Sequence, residues 1–308
     1  MVVADASTSN NKKKTIIEVT VVGKDRKGVV ADITNFIFQN GGNIEKINQN
    51  VVRGLFGMQL EASFAAPHAH RKELDAGLKD LAQRLSMEIK VHYQEPDRQR
   101  NVAILVSKEP HCINRLLEGR KKGEIKANLA VVIGSEPSLK PVAEGAGIPF
   151  HSVSHATDQA EAERNILGLI EKYNIDLIVL ARYMRILTPN FVWRYPNRII
   201  NIHPSLLPAF PGAYAYVQAY ERGAKIVGCT AHFVTEDLDQ GPIICQDSFK
   251  VSSESDTLET IKKKGQELEA ETLFEAVRLY LENRLEVYWG KVLVHDKSQK
   301  GKAPATGS

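Results

Sequence analysis

The chain has 308 residues, of which 43% are hydrophobic and 25% charged, and its 40 Lys and Arg residues against 37 Asp and Glu give a net charge of +3. This composition argues against general disorder, and the even charge balance argues against an electrostatic nucleic-acid binder. No apolar run approaches the roughly 18–20 residues of a membrane span, and at roughly 100–200 residues per domain the length predicts two domains.

The cysteines and the termini indicate the compartment. Cys112, Cys229 and Cys245 are far apart and form no Cys-x-x-Cys pair. This pattern predicts neither a zinc site nor a disulfide framework, and it favours a reducing, cytoplasmic compartment. Both termini are polar and lysine-bearing, and the first lacks the apolar region of a secretory signal. We therefore expect disordered tails at residues 1–14 and 296–308.

Residues 15–94 carry strand and helix signals in the order βαββαβ. The predicted elements are a strand at residues 16–22, a helix at 29–37, strands at 44–52 and 58–64, a helix at 74–85 and a strand at 87–93. The strands are β-branched and short, whereas the helices place apolar residues on one face with a period of 3.6. Two glycines, Gly41 and Gly42, end the first helix. The order is that of a ferredoxin-like unit.

Residues 95–100 form a polar run with one proline, which we interpret as the interdomain linker. After it the sequence pattern changes to alternating strands and helices. Within residues 101–295 the predicted elements are strands at 101–106, 129–133, 176–181 and 198–203, a helix at 159–173, strands at 226–234 and 242–251, a helix opening with a capping box at 256–259 and running towards Asn283, and a last strand at 286–295. Apolar strands alternating with helices indicate a mostly parallel sheet covered on both faces. The strands within residues 226–251 fit an edge of mixed direction.

Polar residues end the strand predicted at residues 198–203. The run reads Asn-Ile-His-Pro-Ser-Leu-Leu-Pro at residues 201–208. Positions two apart on a strand face the same side, so Asn201 and His203 present an amide donor and an imidazole together. Pro204 cannot continue the ladder, which places His203 at the strand end, where open α/β sheets bind ligands. The pair is typical either of catalysis or of a structural strand end.

An acidic run lies between the strands predicted at residues 226–234 and 242–251. It reads Thr-Glu-Asp-Leu-Asp-Gln-Gly-Pro at residues 235–242 and holds three carboxylates in four positions. One interpretation is an ordinary acidic turn. The other is that one carboxylate reaches His203 and orders a water or an amine, with a pKa raised by burial and by a neighbouring carboxylate.

Residues 180–189, at the end of the most apolar predicted strand, mix apolar and basic side chains in the order Leu-Ala-Arg-Tyr-Met-Arg-Ile-Leu-Thr-Pro. Such a segment lines a pocket for a flat aromatic ring with an acidic tail, or it starts a helix packed on the sheet. Both interpretations remain open from the residues alone.

Metal and dinucleotide sites are not expected. A metal site could be imagined at His203, His232 and Asp239. These residues lie far apart in the sequence and do not show a tight ligand spacing such as His-Glu-x-x-His, so we predict no metal. The sequence has no Gly-x-x-x-x-Gly-Lys loop, and Gly145 and Gly147 fall at the end of a helical stretch rather than after a strand. A glycine pair in that position predicts a turn, not a nucleotide loop.

Taken together, these segments resemble the folate-dependent formyltransferase superfamily. The ordered motifs are Met-Arg-Ile-Leu at residues 184–187, the run at residues 201–208, and Asp-x-Gly-Pro at residues 239–242. The N-terminal unit resembles an ACT domain, an amino-acid-sensing fold, with Asp-Arg-Lys-Gly-Val-Val-Ala at residues 25–31 in the ligand-loop position. The resemblance implies an α/β protein with a ferredoxin-like ACT domain at residues 15–94 followed by a Rossmann-like, mostly parallel sheet.

The resemblance also implies roles for individual residues. Asn201 would donate to the oxyanion that develops on a formyl group, His203 would stabilise the tetrahedral intermediate and move a proton, Asp239 would position and deprotonate water, and His232 would support them. The residues expected to bind the folate are Leu180, Met184, Arg185, Ile186, Leu187, Glu236, Asp237 and Leu238. The residues expected to bind an amino-acid effector are Asp25, Gly28, Asn40 and Asn43.

An ACT-like domain ahead of such a catalytic domain is the architecture of the deformylases of this superfamily. It implies hydrolysis of 10-formyltetrahydrofolate to formate and tetrahydrofolate in one-carbon metabolism and purine biosynthesis, with no cofactor beyond the folate, and a homo-oligomer, dimer or tetramer, with no nucleic-acid or membrane partner. Glycinamide ribonucleotide transformylases instead hold a substrate phosphate at a Gly-Ser-Asn loop, where this chain has Glu109, which repels phosphate, and Pro110, which lacks an N–H.

Two other readings stay open at this stage. One is a formyltransferase whose acceptor is an amine. The other is an amino-acid sensor whose second domain only binds folate.

Overall fold

The computed structural model describes residues 15–65, 71–93, 98–154, 158–210, 212, 214–252 and 255–296. The chain divides between Arg98 and Gln99 into two compact units. The tail predicted at residues 1–14 lies outside the described residues, as do residues 297–308 of the tail predicted at 296–308 and residues 95–97 of the predicted linker. Arg100, which composition assigned to the linker, is the first residue of a strand.

The first unit is a four-stranded antiparallel sheet with two helices, which confirms the predicted βαββαβ order. Its elements are β1 (Thr15–Lys24), α1 (Val29–Gln39), β2 (Gly42–Val52), β3 (Leu55–Phe64), α2 (Arg71–Leu85) and β4 (Glu88–Tyr93). The strand order is β2-β3-β1-β4. Buried Ile17, Val19 and Val21 of β1 alternate along the strand and join one apolar core with Ile33 of α1 and Leu78 of α2.

The second unit is a seven-stranded sheet with helices and a terminal hairpin. Its elements are β5 (Arg100–Val106), α3 (His111–Lys121), β6 (Ala127–Gly134), α4 (Lys140–Gly145), β7 (Phe150–Ser152), α5 (Gln159–Lys172), β8 (Leu177–Ala181), α6 (Pro189–Val192), β9 (Ile199–His203), α7 (Ala215–Glu221), β10 (Ile226–Phe233), β11 (Ile243–Lys250), α8 (Leu258–Leu281), β12 (Leu285–Tyr288) and β13 (Lys291–Val294).

The sheet of the second unit has the order β11-β10-β9-β8-β5-β6-β7. Strands β5 to β9 run parallel, while β10 pairs antiparallel with both β9 and β11, which confirms the mostly parallel sheet with a mixed edge. Alternate residues of β5 enter different apolar cores: Ile104 packs on one face of the sheet and Leu105 on the other. Both faces are therefore covered, as near-continuous apolar strands require.

Some predicted elements differ from the structure. The strand expected at residues 286–295 is instead the hairpin β12–β13, because Trp289 and Gly290 both adopt positive φ and reverse the chain. The capping box of α8 is built by Thr257 and Thr260, one position after the expected start at Asp256. Strand β7 has only three residues, too few for a periodic signal.

Within the described ranges, none of the helices combines the length and apolarity that crossing a membrane requires. The change of strand order between β5 and β8 is where sheets of this kind bind ligands, at the carboxyl ends of the strands. Ser107, Arg182 and Pro204 directly follow β5, β8 and β9 there.

Candidate active site

Asn201 and His203 lie on β9, the last parallel strand, and their partners come from β10. In the antiparallel pairing, Asn201 lies opposite His232 and His203 lies opposite Thr230. His203 and His232 are 4% and 2% exposed. The two-residue spacing on each strand therefore brings an amide and two imidazoles to one small area of the sheet.

Asp239 completes this group from the turn between β10 and β11. Its Oδ2 lies 3.2 Å from Nδ1 of His203, and its Oδ1 lies 3.8 Å from Nε2 of His232. The backbone N–H of Gly212 donates to Oδ2 at 2.9 Å. Of the three carboxylates in the acidic run, Asp239 is thus the one whose side chain reaches His203.

The turn that carries Asp239 has an unusual backbone. Asp239 itself has φ 55, in the left-handed region that Asp tolerates better than most residues. A Cβ on Gly241 would lie 1.7 Å from the carbonyl oxygen of Phe233, so only glycine fits there. The Phe233 N–H donates to the Pro242 carbonyl at 2.9 Å, which closes the turn. The spacing Asp-x-Gly-Pro is therefore required by the close approach of two backbone segments.

His232 fixes the orientation of Asn201. Its Nδ1 donates to the carbonyl of Phe233 at 2.8 Å, which leaves Nε2 as the acceptor for the Asn201 amide nitrogen at 3.2 Å. Burial lowers the pKa of His232 in spite of the hydrogen bond to Phe233 and the Asp239 charge, and a neutral ring matches this arrangement. An amide nitrogen carries two hydrogens, and this bond uses one of them.

Both ring nitrogens of His203 face oxygen acceptors. Nδ1 faces Asp239, and Nε2 lies 2.9 Å from the carbonyl oxygen of Phe210. The segment between His203 and Phe210 is held by Thr230, which is fully buried. The Thr230 hydroxyl donates to the Ser205 carbonyl at 2.7 Å and accepts from the Leu207 N–H at 3.0 Å. Sequence reasoning missed Thr230, whose only signal is its place two residues before His232.

The residues expected to bind folate fall into three groups. Leu180 and Leu187 are buried in the core, so their side chains support the segment rather than line a pocket. Met184, Ile186 and Leu238 are 58%, 63% and 49% exposed, so their apolar side chains are accessible to a ligand. Among the remaining expected residues, Glu236 is half-buried, while Arg185 and Asp237 are exposed.

Those exposed apolar side chains lie beside the site along the chain. Leu180 is paired in register with Asn201, so the segment that follows β8 leaves the sheet next to β9. Leu238 directly precedes Asp239. Exposed apolar side chains thus occur in both chain segments that adjoin the polar group, which suits a flat ring with a reacting group at one end.

Glu269 organises a second polar cluster that sequence reasoning missed. It is fully buried on α8 and accepts hydrogen bonds from the Tyr216 hydroxyl at 2.6 Å and from Nε2 of His111 at 3.2 Å. Nε of Arg182 lies 3.4 Å away. Burial alone would raise the pKa of Glu269, but His111, Arg182 and Tyr216 bring it below its usual value. The carboxylate is thus held as an anion in the interior.

The same cluster contains one metal-like grouping among the described residues. Donor atoms of His111, Cys112 and Glu269 lie within 4.8 Å of one another. However, the Glu269 oxygens already have Tyr216, His111 and Arg182 as partners, and burial raises the pKa of the Cys112 thiol well above its usual value. A neutral thiol is a poor ligand. We therefore assign these residues to the polar cluster around Glu269 and not to a metal site.

The four residues expected to bind an effector lie at the two ends of α1. Asp25 and Gly28 precede the helix, and Gly28 is its N-cap with φ 92. Asn40 caps the other end, and Asn43 lies in β2. A helix of 11 residues is about 16 Å long. One copy of the unit therefore does not gather all four around a single amino acid.

Comparison with known proteins decides the family. Residues 100–277 match the formyl transferase family and residues 15–92 match the ACT domain family. A formyltetrahydrofolate deformylase of Bacillus subtilis is 41% identical over 274 residues, which cover 88% of this chain and 90% of the relative. The chain belongs to the formyltetrahydrofolate deformylase family. The resemblance drawn from the motifs is confirmed.

Other members of the family and a neighbouring family agree with this placement. The deformylase of Escherichia coli K12 is 40% identical over 88% of this chain and 95% of its own. The crystal structure of the deformylase from Pseudomonas syringae matches with a TM-score of 0.64 and 32% identity, over 94% of this chain and 96% of that one. A glycinamide ribonucleotide transformylase from Symbiobacterium toebii, at 35% identity and TM-score 0.62, covers only 67% of this chain but 97% of its own.

Proposed function

We propose that this chain hydrolyses 10-formyltetrahydrofolate to formate and tetrahydrofolate. The observation that carries the proposal is the convergence of Asn201, His203 and Asp239 in one largely buried group. This group lies in a chain that deformylases of the family match over 88% of its length, including the ACT domain. Acyl transfer needs an oxyanion donor and a general base that meet at one carbon, and these residues supply both.

The proposed reaction uses water as the nucleophile. Asp239 orients a water and accepts its proton as the water oxygen attacks the formyl carbon, while His203 holds the Asp239 carboxylate through Nδ1. The free N–H of Asn201 donates to the oxyanion that forms. The bond from the formyl carbon to N10 of the folate then breaks, and N10 receives the proton that Asp239 took from the water. Formic acid leaves and loses its remaining proton to solvent, which gives formate. In this complex the formyl oxygen replaces the Phe210 carbonyl as the partner of His203 Nε2.

The loop after β5 supports water rather than an anionic acceptor. Glu109 is held there by Gln266, whose Nε2 donates to it at 2.8 Å. Pro110 is the N-cap of α3 and has no N–H to offer. A carboxylate fixed at this position repels a phosphate group, so the site disfavours a ribonucleotide amine as the acceptor.

The ACT unit is proposed to bind an amino acid. Because Asp25 and Gly28 lie about 16 Å from Asn40 across α1, all four expected residues can meet one ligand only if two copies contribute. This requirement fits the expected homo-oligomer. Calorimetry against glycine, methionine and serine tests it. In a symmetric pair each copy supplies both halves, so two equivalent sites form, and heat that saturates at one ligand per chain is the predicted result. The expected cytoplasmic compartment, and the expectation of no cofactor beyond the folate, remain predictions.

The acceptor test separates hydrolysis from transfer to an amine. Purified protein is incubated with 10-formyltetrahydrofolate alone, and formate and tetrahydrofolate are measured. The proposal predicts equal amounts of both products without any added amine. Strict dependence on an added amine would establish the formyltransferase alternative, and binding without turnover would establish the folate sensor.

A further inference from the structure

The segment from Arg182 to Thr188 has no helix or strand of its own, yet buried polar groups hold it at both ends. Its middle residues, Met184 and Ile186, are 58% and 63% exposed. Tyr183 and Leu187 of the segment are buried in an apolar core, but the exposed side chains between them have little packing to fix them. The two polar anchors act on the backbone beside these exposed side chains.

The first anchor is the hydroxyl of Ser107, which follows β5 and is 5% exposed. It accepts a hydrogen bond from the backbone N–H of Met184 at 3.0 Å. It also shares a hydrogen bond with the hydroxyl of Ser135 at 2.8 Å. Ser135 follows β6, so the Ser107–Ser135 pair ties the start of the segment to the ends of two neighbouring strands.

The second anchor is the carboxylate of Glu163 on α5, which is 3% exposed within an apolar core. Its Oε1 accepts from the Thr188 N–H at 2.8 Å, and its Oε2 accepts from the Thr188 hydroxyl. The side-chain amide nitrogen of Gln159 donates to Oε1 of Glu163 and also to the Ile186 carbonyl, at 2.8 Å from the latter. The carboxylate thus acts on the backbone at the far end of the segment.

A buried carboxylate is costly unless its hydrogen bonds are complete. An apolar side chain at position 163 would fill the same space in the core without that cost. The bonds of Glu163 all lead to the segment between β8 and α6 or to Gln159, which binds that segment too. The arrangement is therefore better explained by control of the segment than by core packing.

We propose that Glu163 and Ser107 are positioning residues that hold residues 182–188 in the shape that receives the flat ring of the folate. This inference rests on the proposed function, because it takes folate as the ligand. Neither side chain contacts the ligand. Both act through the backbone of Met184 and Thr188, so that the apolar side chains between them are ordered before the ring arrives.

The test compares three variants with a matched control. Ser107→Ala removes the first anchor, Glu163→Ala removes the second, and Glu163→Gln restores its acceptor for the Thr188 N–H. The control is Glu161→Ala, on the same helix but exposed. Amide hydrogen exchange at Met184 and Thr188 measures the anchors in the free protein, and steady-state kinetics measures their effect on the substrate.

We expect faster exchange of the Met184 amide in Ser107→Ala and of the Thr188 amide in Glu163→Ala. For both variants KM should rise about tenfold, the effect of one lost hydrogen bond, while kcat stays within about twofold. Glu163→Gln should recover most of the loss, and Glu161→Ala should match the wild type. Faster exchange with an unchanged KM would overturn the proposal, as would an equal fall in kcat and kcat/KM.

Two further outcomes remain decisive. If Glu163→Ala fails to fold, Ser107→Ala carries the test, because it removes only one hydroxyl. If the wild type releases no formate, the proposed function fails, and the dissociation constant for tetrahydrofolate replaces KM. Weaker binding in the anchor variants would then still support the positioning role, whereas equal binding, or none by the wild type, would contradict it.

Discussion

The carboxylate of Asp239 lies 3.2 Å from Nδ1 of His203, and both side chains are more than nine-tenths buried. A carboxylate that faces one ring nitrogen of an imidazole fixes the orientation of the ring. The pair thereby connects β9 to the turn between β10 and β11, where only glycine fits at position 241. This contact is the centre of the proposed chemistry.

Asp239→Asn should lower kcat by about 10²–10⁴-fold, the usual effect of losing acid–base catalysis. The amide keeps the shape of the side chain but cannot accept a proton from water. The measurement is the rate of formate release, with thermal unfolding as the check on folding. Asp80→Asn, an exposed change on α2, should keep the wild-type rate. A near-normal rate in Asp239→Asn would remove Asp239 from the mechanism.

Gly241→Ala should reduce formate release more than tenfold and destabilise the fold by about 1–3 kcal/mol. The new Cβ would lie 1.7 Å from the Phe233 carbonyl oxygen, so the turn must move and Asp239 with it. Urea unfolding and kinetics measure the two effects. The control is Gly145→Ala, because a Cβ at Gly145 meets nothing within 4 Å. Equal behaviour of the two variants would contradict the role of the turn.

The site was only partly predictable from the sequence. The spacing of Asn201 and His203 placed them on one face of β9, because strands have a period of two. The choice among the three carboxylates needed the turn, in which Asp239 takes φ 55. Glu269 was not predictable, since its partner His111 lies 158 positions away and no local pattern links them.

The fold, like the site, was only partly predictable from the sequence. Periodicity predicted β1 to β4 and the long strands of the second unit, where one local pattern extends over many residues. It did not separate β12 from β13, because the reversal rests on positive φ at Trp289. The resemblance, and not periodicity, implies that Leu187 binds the folate, and the structure places its side chain in an apolar core.

Stability should fall as the pH drops below about 6.5, the usual pKa of histidine. Burial lowers the pKa of His232, so the unfolded chain takes up a proton there that the folded chain does not. The loss of stability that this proton uptake causes is absent above about pH 6.5 and grows as the pH falls towards the lowered pKa of His232. His232→Gln should therefore show a flatter stability profile between pH 7 and 5.5. His151, whose pKa is also lowered by burial, is common to both proteins and cancels in the difference. A parallel profile would contradict the assignment.

Tyr216→Phe should destabilise the second unit by about 1.5–3 kcal/mol, the usual value for a hydrogen bond to a charged group. The variant removes the hydroxyl that donates to the buried Glu269 at 2.6 Å. Tyr220→Phe, on the same helix and 46% exposed, should change stability by less than about 0.5 kcal/mol. Equilibrium unfolding in urea measures both. If the two changes are equal, Glu269 does not depend on Tyr216.

The measurement that tests the central claim most directly is hydrolysis in water enriched in ¹⁸O, with the released formate analysed by mass spectrometry. If Asn201, His203 and Asp239 direct water onto the formyl carbon, each formate carries one oxygen from the solvent and tetrahydrofolate appears in equal amount. Formate without solvent oxygen, or a formyl group recovered on another acceptor, would contradict the account.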